Sequence, residues 1–264
     1  MEGIKLYWYY IATSIRAQWQ YRLNFALVSG GVFLQNILDA LALWALFSRF
    51  GALPGWTLYQ ALLLYGLVNT TFAVADGVWR GFDVMNRLIR DGLFDRMLLR
   101  PRSLMVQLLG YEFRINRLGR FLQGLLVLII GIAGSNIHWT ALRVLMVPWA
   151  ALNGLLLFGG MFVLQGALCF RSVESIEMVN AFSYGGVYFA GYPMEIYGKW
   201  FRALFTYLVP VAAVVYYPVC FLIGKGALSA VAAFAIPLAG PLFLGLALLV
   251  FYRAGVPAYQ STGS

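Results

Sequence analysis

Charged residues are scarce in this 264-residue chain, at 11% against 62% hydrophobic, where a soluble domain carries roughly a quarter charged. Water cannot solvate such a surface, so the composition excludes a soluble domain and calls for lipid. Cysteine is nearly absent: Cys169 and Cys220 are far apart and form no C-x-x-C pair, which signals neither a disulfide framework nor a metal site. With His138 as the single histidine, and no G-x-S-x-G or H-E-x-x-H, there is little for hydrolytic or metal chemistry. No G-x-x-x-x-G-K-[ST] phosphate loop occurs, so this chain is not expected to hydrolyse ATP by that route. No removable signal peptide is expected either. After Lys5 come Trp8, Tyr9, Tyr10, Thr13, Ser14 and Arg16, not an apolar core with a small-residue cleavage site.

What is present is a series of apolar runs near or beyond the roughly 20 residues a helix needs to cross about 30 Å of hydrocarbon. They lack the two-residue alternation of an outer-membrane barrel. The expected fold is all-α and integral to the membrane, one transmembrane domain over residues 1–264. Residues 4–21 carry one stripe of Lys5, Tyr9, Thr13, Arg16 and Gln20 and another of Ile4, Trp8, Ile11, Ile15 and Trp19. That predicts an N-terminal interfacial helix. Six spans are predicted, at 24–47, 57–79, 118–134, 144–170, 172–191 and 228–252, the first two joined through Arg49 and a Pro54-Gly55 turn.

Between residues 192 and 225 the pattern breaks. Pro193, Pro210 and Pro218 each remove a backbone donor and disrupt the preceding turn. A re-entrant pair of short helices is expected there, because broken backbone is tolerated at depth only where protein or a wet cavity satisfies it. The last span carries Pro237 and Pro241.

A net charge of +9 would suggest nucleic acid in a soluble protein. Here no nucleic-acid partner is expected, because the basic residues lie between apolar runs and mark the cytoplasmic face of an inner membrane. Residues 80–120 form the longest polar stretch, with Arg80, Arg87, Arg90, Arg96, Arg100, Arg117 and Arg120 interleaved with Asp83, Asp91, Asp95 and Glu112. On the other side fall only Arg49, Arg143, Lys199, Arg202 and Lys225. This places both termini in the cytoplasm of a bacterial cell. It leaves the second half open, since a full crossing by residues 201–223 would exchange Lys225 for Arg253.

Within that stretch, residues 87–101 (RLIRDGLFDRMLLRP) alternate apolar side chains with charges of both signs. Such a helix docks either in a groove of another protein or beside acidic lipid headgroups, and the pattern alone decides neither.

Gly92-Leu-Phe-Asp95 running into Leu98-Leu99-Arg100-Pro101, the Gly191-Tyr192-Pro193 turn with Pro210 and Pro218 beyond it, and residues 259–264 (YQSTGS) resemble ABC-2 type exporter permeases. The nearest branch is one of compact chains that often act in pairs. The resemblance implies six transmembrane helices, a coupling helix after the second and re-entrant helices before the sixth. It implies two ABC ATPase subunits carrying ATP and magnesium, no cofactor on this chain, and a second permease, identical or homologous, in membrane lipid. By it Gly92, Asp95, Leu98, Leu99, Arg100 and Pro101 lie in or beside the ATPase contact. Arg87, Arg90 and Asp91 flank them, and Phe94 is the expected apolar contact with the partner. Export of a small amphipathic cargo is the implied activity. A non-energised channel or an assembly scaffold would suit the same composition.

Substrate residues do not carry over from the family, so polar residues inside the spans are the remaining clue. Asp39, with Gln35 a turn before it, lies well inside the first span, where a charge costs roughly 2.5–3.5 kcal/mol on insertion scales. It is either a neutral or arginine-paired residue at a subunit interface or a cargo contact. Asn69, Asp76, Glu177 and Asn180 are weaker candidates of the same kind. If Asp39 meets cargo, a cationic amphipath fits, with Phe33, Trp44, Tyr184 and Tyr188 as aromatic walls. Small residues at Ala150-x-x-x-Gly154 and Ala181-x-x-x-Gly185 would let helices approach closely.

Overall fold

The computed structural model describes residues 2–20, 22–50, 55–112, 117–171, 175–226 and 228–261, and no strand occurs among them. Pro54, the start of the predicted fifth span at residues 172–174, and residues 262–264 of the YQSTGS stretch lie outside the described residues. Two helices, α1 (Glu2–Trp19) and α2 (Arg22–Phe50), precede α3 (Leu58–Val78). Four short helices follow: α4 (Arg80–Asp83), α5 (Met85–Arg90), α6 (Leu93–Leu98) and α7 (Leu104–Leu109). The long helices α8 (Arg117–Gly134) and α9 (Ala141–Cys169) come next, then α10 (Ser175–Ala190). The remainder is α11 (Lys199–Ala203), α12 (Tyr217–Ile223), α13 (Ala230–Ala235) and α14 (Ala239–Val250).

Among the described residues five helices are long and apolar enough to cross a membrane, Arg22–Arg49, Leu58–Val78, Arg117–Gly134, Ala141–Cys169 and Ala230–Ala258. Their positions follow the predicted spans because each apolar run is bounded by charge or by a cap. Thr57 caps α3 through a reciprocal box with Gln60, satisfying two of the donors that a helix start leaves open. Of the predicted fifth span, α10 covers the 16 described residues Ser175–Ala190, a rise of about 24 Å. The break expected at the prolines is present. Lys199–Leu208 and Ala212–Ile223 meet at 85°, on either side of Val209 and Pro210, whereas Pro218 sits in the first turn of α12, where its missing donor does no harm.

The core is built around α3, which buries residues on every side, among them Leu64, Phe72 and Asp76. It lies against α8, α9, α10 and α2. The α3–α8 contact is the closest, and glycine makes it so: a Cβ on Gly66 or Gly131 would fall onto the backbone of Leu128 or Leu63. Gly154 meets Thr71 of α3, so the small residues Ala150 and Gly154 pack inside this chain. A Cβ on Gly185 would meet the Phe189 ring of its own helix at 3.9 Å, ordinary contact, and the Ala181 side chain lies outside the described residues. Gly131→Ala should destabilise the protein by about 1–3 kcal/mol through overpacking. Gly245→Ala, with nothing within 4 Å, should not; thermal unfolding of both variants in one detergent checks this.

The outlier is α2. Only 6% of its apolar window is buried, with Leu27, Leu34, Leu38 and Trp44 all exposed. In α1, Ile11 is buried while Trp8 and Trp19 are exposed.

Candidate functional site

Where α3 ends and the short helices begin, charges from three helices converge with neutral partners from two more. Asp76, one turn before the end of α3, is fully buried. Its carboxylate takes Arg117 of α8 at 2.8 Å and Arg80 of α4 at 3.4 Å. Arg80 also pairs with Asp83 of the same short helix, and its Nη1 donates to the Tyr184 hydroxyl at 3.3 Å. Asp83 in turn accepts from Tyr184 of α10 at 3.2 Å and from Gln165 Nε2 of α9 at 3.0 Å. One turn deeper, Arg120 donates to Asn69 Oδ1 from Nε at 3.2 Å and Nη2 at 3.1 Å, and stacks 4.6 Å over the Phe72 ring. Burial alone would loosen the Arg80 proton, but Asp83 and Asp76 outweigh it and hold the guanidinium charged. The result is a buried net of three arginines and two aspartates, with the remaining contacts supplied by neutral donors and acceptors.

Arg80, Arg117 and Arg120, counted from sequence among the charges of the cytoplasmic face, are therefore turned inward. Of the polar residues singled out within spans, Asn69, Asp76 and Tyr184 belong to this net. Their polar atoms are engaged by the chain itself and tie its helices together. Asp39 is half-buried on α2 and within electrostatic range of Arg120. Tyr188, half-exposed, shares that neighbourhood. Gln35 is exposed and Asn180 partly buried, with its carbonyl accepting from Ser183 at 3.5 Å. The Glu177 side chain lies outside the described residues. Sequence reasoning overlooked Asp83, Arg80 and Gln165 as members of the net. The spacing of Asp76, Arg80 and Asp83 at four and three residues was the available signal.

The 87–101 stretch forms α5, a turn at Gly92 in the left-handed conformation (φ 63°), and α6. Arg87 pairs with Glu112 at 2.7 Å, and Gln107 donates to the carbonyls of Met97 and Arg102 at 3.0 and 3.2 Å. Phe94, the expected contact with a partner, is 0% exposed. Its ring lies 5.1 Å from Phe170 and 4.8 Å from Tyr259, so the chain's own aromatics occupy the place foreseen for another protein. What faces outward is Leu98 and Leu99, the latter 85% exposed, with Arg90, Asp91, Arg96, Arg100 and Pro101 around them. Asp95 accepts from the Ser261 hydroxyl at 2.9 Å. Burial and that carboxylate push the Tyr259 phenol up to about 12, so it stays neutral.

At the other end of the bundle a second cluster fastens the bent helix pair. Lys225 Nζ and the Tyr216 hydroxyl both reach Glu195 Oε1 at 2.8 Å. The Lys225 ammonium also lies 4.4 Å over the buried Trp56 ring. Burial would raise the Glu195 carboxyl, but the hydrogen bonds from Lys225 and Tyr216 outweigh it and hold it below the usual range.

Apolar helices of spanning length, with a charged net at one end and an exposed Leu-Arg ridge beyond it, define a polytopic membrane protein. The family model described as ABC-2 family transporter protein matches residues 33–263, and the chain belongs to that family. It is thereby a permease component of an ABC transporter, a family whose members work with an ATPase partner. No curated protein and no solved structure matches the chain.

Proposed function

We propose that this chain is the membrane-spanning subunit of an exporter in the bacterial inner membrane, driven by a separate ATPase that docks on the outward face of residues 90–101. The observation that carries the reading is the exposure of Leu98 and Leu99 within a frame of arginines. An apolar pair that the chain leaves uncovered, ringed by Arg90, Arg96 and Arg100, fits an apolar groove with an acidic rim. The inner face of the same segment is tied through Phe94 to Phe170 at the end of α9. The segment continues through α4 into the charged net, so movement of the docked segment would tilt α3, α8 and α10 together. In this reading residues 80–112 and both termini are cytosolic, and α1 lies at the interface. The bent pair is re-entrant, and two permeases, identical or homologous, pair with two ATPase copies. ATP and magnesium belong to the ATPase; this chain supplies neither a phosphate loop nor a cofactor site.

The test is purification in mild detergent with every co-eluting chain identified. An ATPase whose activity depends on this chain is the expected result, and elution with no ATPase in the intact assembly would overturn the assignment in favour of a channel or scaffold.

For the cargo, the half-buried Asp39 on the most exposed helix, with Phe33, Trp44 and Tyr188 also exposed, supports a cationic amphipath. Tyr188 and Asp39 share the surroundings of Arg120, and a carboxylate near an aromatic ring suits an organic cation. Asp39→Asn should lower resistance to lipophilic cations about tenfold without changing the amount of inserted protein; resistance equal to wild type in that strain removes this substrate class.

A further inference from the structure

We propose that residues 256–261 form a strap that sets the position of the coupling segment, making Tyr259 and Ser261 positioning residues for the ATPase contact. The proposal rests on the docking face assigned above. The helical segment Ala230–Ala258 ends at Ala258, and Tyr259 takes up extended backbone (φ −65°, ψ 128°). From there the chain reaches back over α6.

Its ring completes a cluster of three: Tyr259 is 4.8 Å from Phe94 and 5.8 Å from Phe170, which are 5.1 Å from each other, all edge-to-face. Two residues on, Ser261 donates to Asp95, the neighbour of Phe94, at 2.9 Å. The strap thus grips two adjacent residues on the inner side of α6, while Leu98 and Leu99 project from its outer side.

Phe170 also lies 5.7 Å from Phe251, so the ends of α9 and the last helix close on the same cluster. A six-residue helix has too few internal hydrogen bonds to stand alone, so its orientation follows whatever holds its inner face. A cavity of about 330 Å³ lined by Ile89, Phe170, Arg171, Ala258, Tyr259 and Gln260 opens beside the strap, and the rings and the Ser261–Asp95 bond join it to α6. Losing both Tyr259 ring contacts should shift the local opening equilibrium of α6 by roughly tenfold or more.

The experiment follows amide exchange of residues 92–100 in the full-length permease and titrates the co-purified ATPase onto it. In Tyr259→Ala, exchange over 92–100 should rise about tenfold and ATPase affinity fall several-fold, with exchange in α8 and the thermal midpoint as in wild type. Tyr259→Phe should restore both, because the ring and not the hydroxyl makes the contacts. If Tyr259→Ala cannot be recovered, Tyr259→Leu keeps the apolar volume and should show the same changes. Unchanged exchange, no rescue by phenylalanine, or faster exchange with unaltered ATPase affinity would each overturn the positioning role. A wild-type permease that binds no ATPase overturns instead the docking assignment on which it rests.

Discussion

Asp76→Ala should destabilise the folded permease by roughly 3–5 kcal/mol, the loss expected when one partner of a buried ion pair is removed and the other is left in place. Asp76 is enclosed and salt-bridged to both Arg117 and Arg80. Arg80 keeps Asp83, but Arg117 has no other salt-bridge partner among the described residues. Beside it stands Arg120, hydrogen-bonded to the neutral Asn69 and stacked on the Phe72 ring, so removing Asp76 leaves the three arginines of the net with Asp83 as its remaining aspartate. The midpoint of thermal unfolding in detergent should drop by about 10 °C, taking the shift per kcal/mol typical of chains this size. Asp76→Asn, which keeps shape and an acceptor oxygen, should fall between the two. A midpoint within a degree or two of wild type for the alanine variant would mean that the net is not a structural element.

The fold was largely legible because membrane helices are announced by length and composition. Five predicted spans have their helices at nearly the predicted residues, and Pro210 broke the chain where its missing donor required. Pro148 and Pro241 lie within their helices, Pro218 opens α12, and Pro237 falls in a short turn between α13 and α14 without a sharp bend, and nothing in the local sequence separates them from Pro210. Two of them stand in the first turn of a helical piece, a distinction of position that becomes visible only when the piece is seen. The site was legible in one dimension only. That Arg80, Arg117 and Arg120 flank spans was plain, and flanking arginines ordinarily face headgroups. Whether they turn inward depends on Asp76 for Arg117, on Asn69, 51 residues from Arg120, and on Tyr184, 104 residues from Arg80 along the chain. No periodicity reports on contacts of that range. Phe94 was misjudged for the same reason: an alternating pattern shows that one face of a short helix is apolar, but not whether the chain itself covers that face.

That misjudgement separates two variants that the sequence would have grouped together. Leu99→Glu should abolish stable association with the ATPase while leaving the permease folded. At 85% exposure the side chain contributes almost nothing to the permease's own packing, so the substitution belongs with surface changes of about 0.5 kcal/mol or less. At a docking face the same change places a carboxylate in an apolar groove opposite an acidic rim. An interfacial loss of at least about 2 kcal/mol is expected, or some thirtyfold in affinity. Phe94→Ala should behave in the opposite way. Its ring is enclosed between Phe170 and Tyr259, and emptying that space costs about 3–5 kcal/mol of stability, so transport fails there because the segment loses its place. Size-exclusion of each variant with the ATPase, alongside its thermal midpoint alone, tells the two apart. Leu99→Glu should elute without ATPase at the wild-type midpoint, whereas Phe94→Ala should show a lowered midpoint before any question of docking arises. An ATPase complex that survives Leu99→Glu intact would move the docking face away from this ridge.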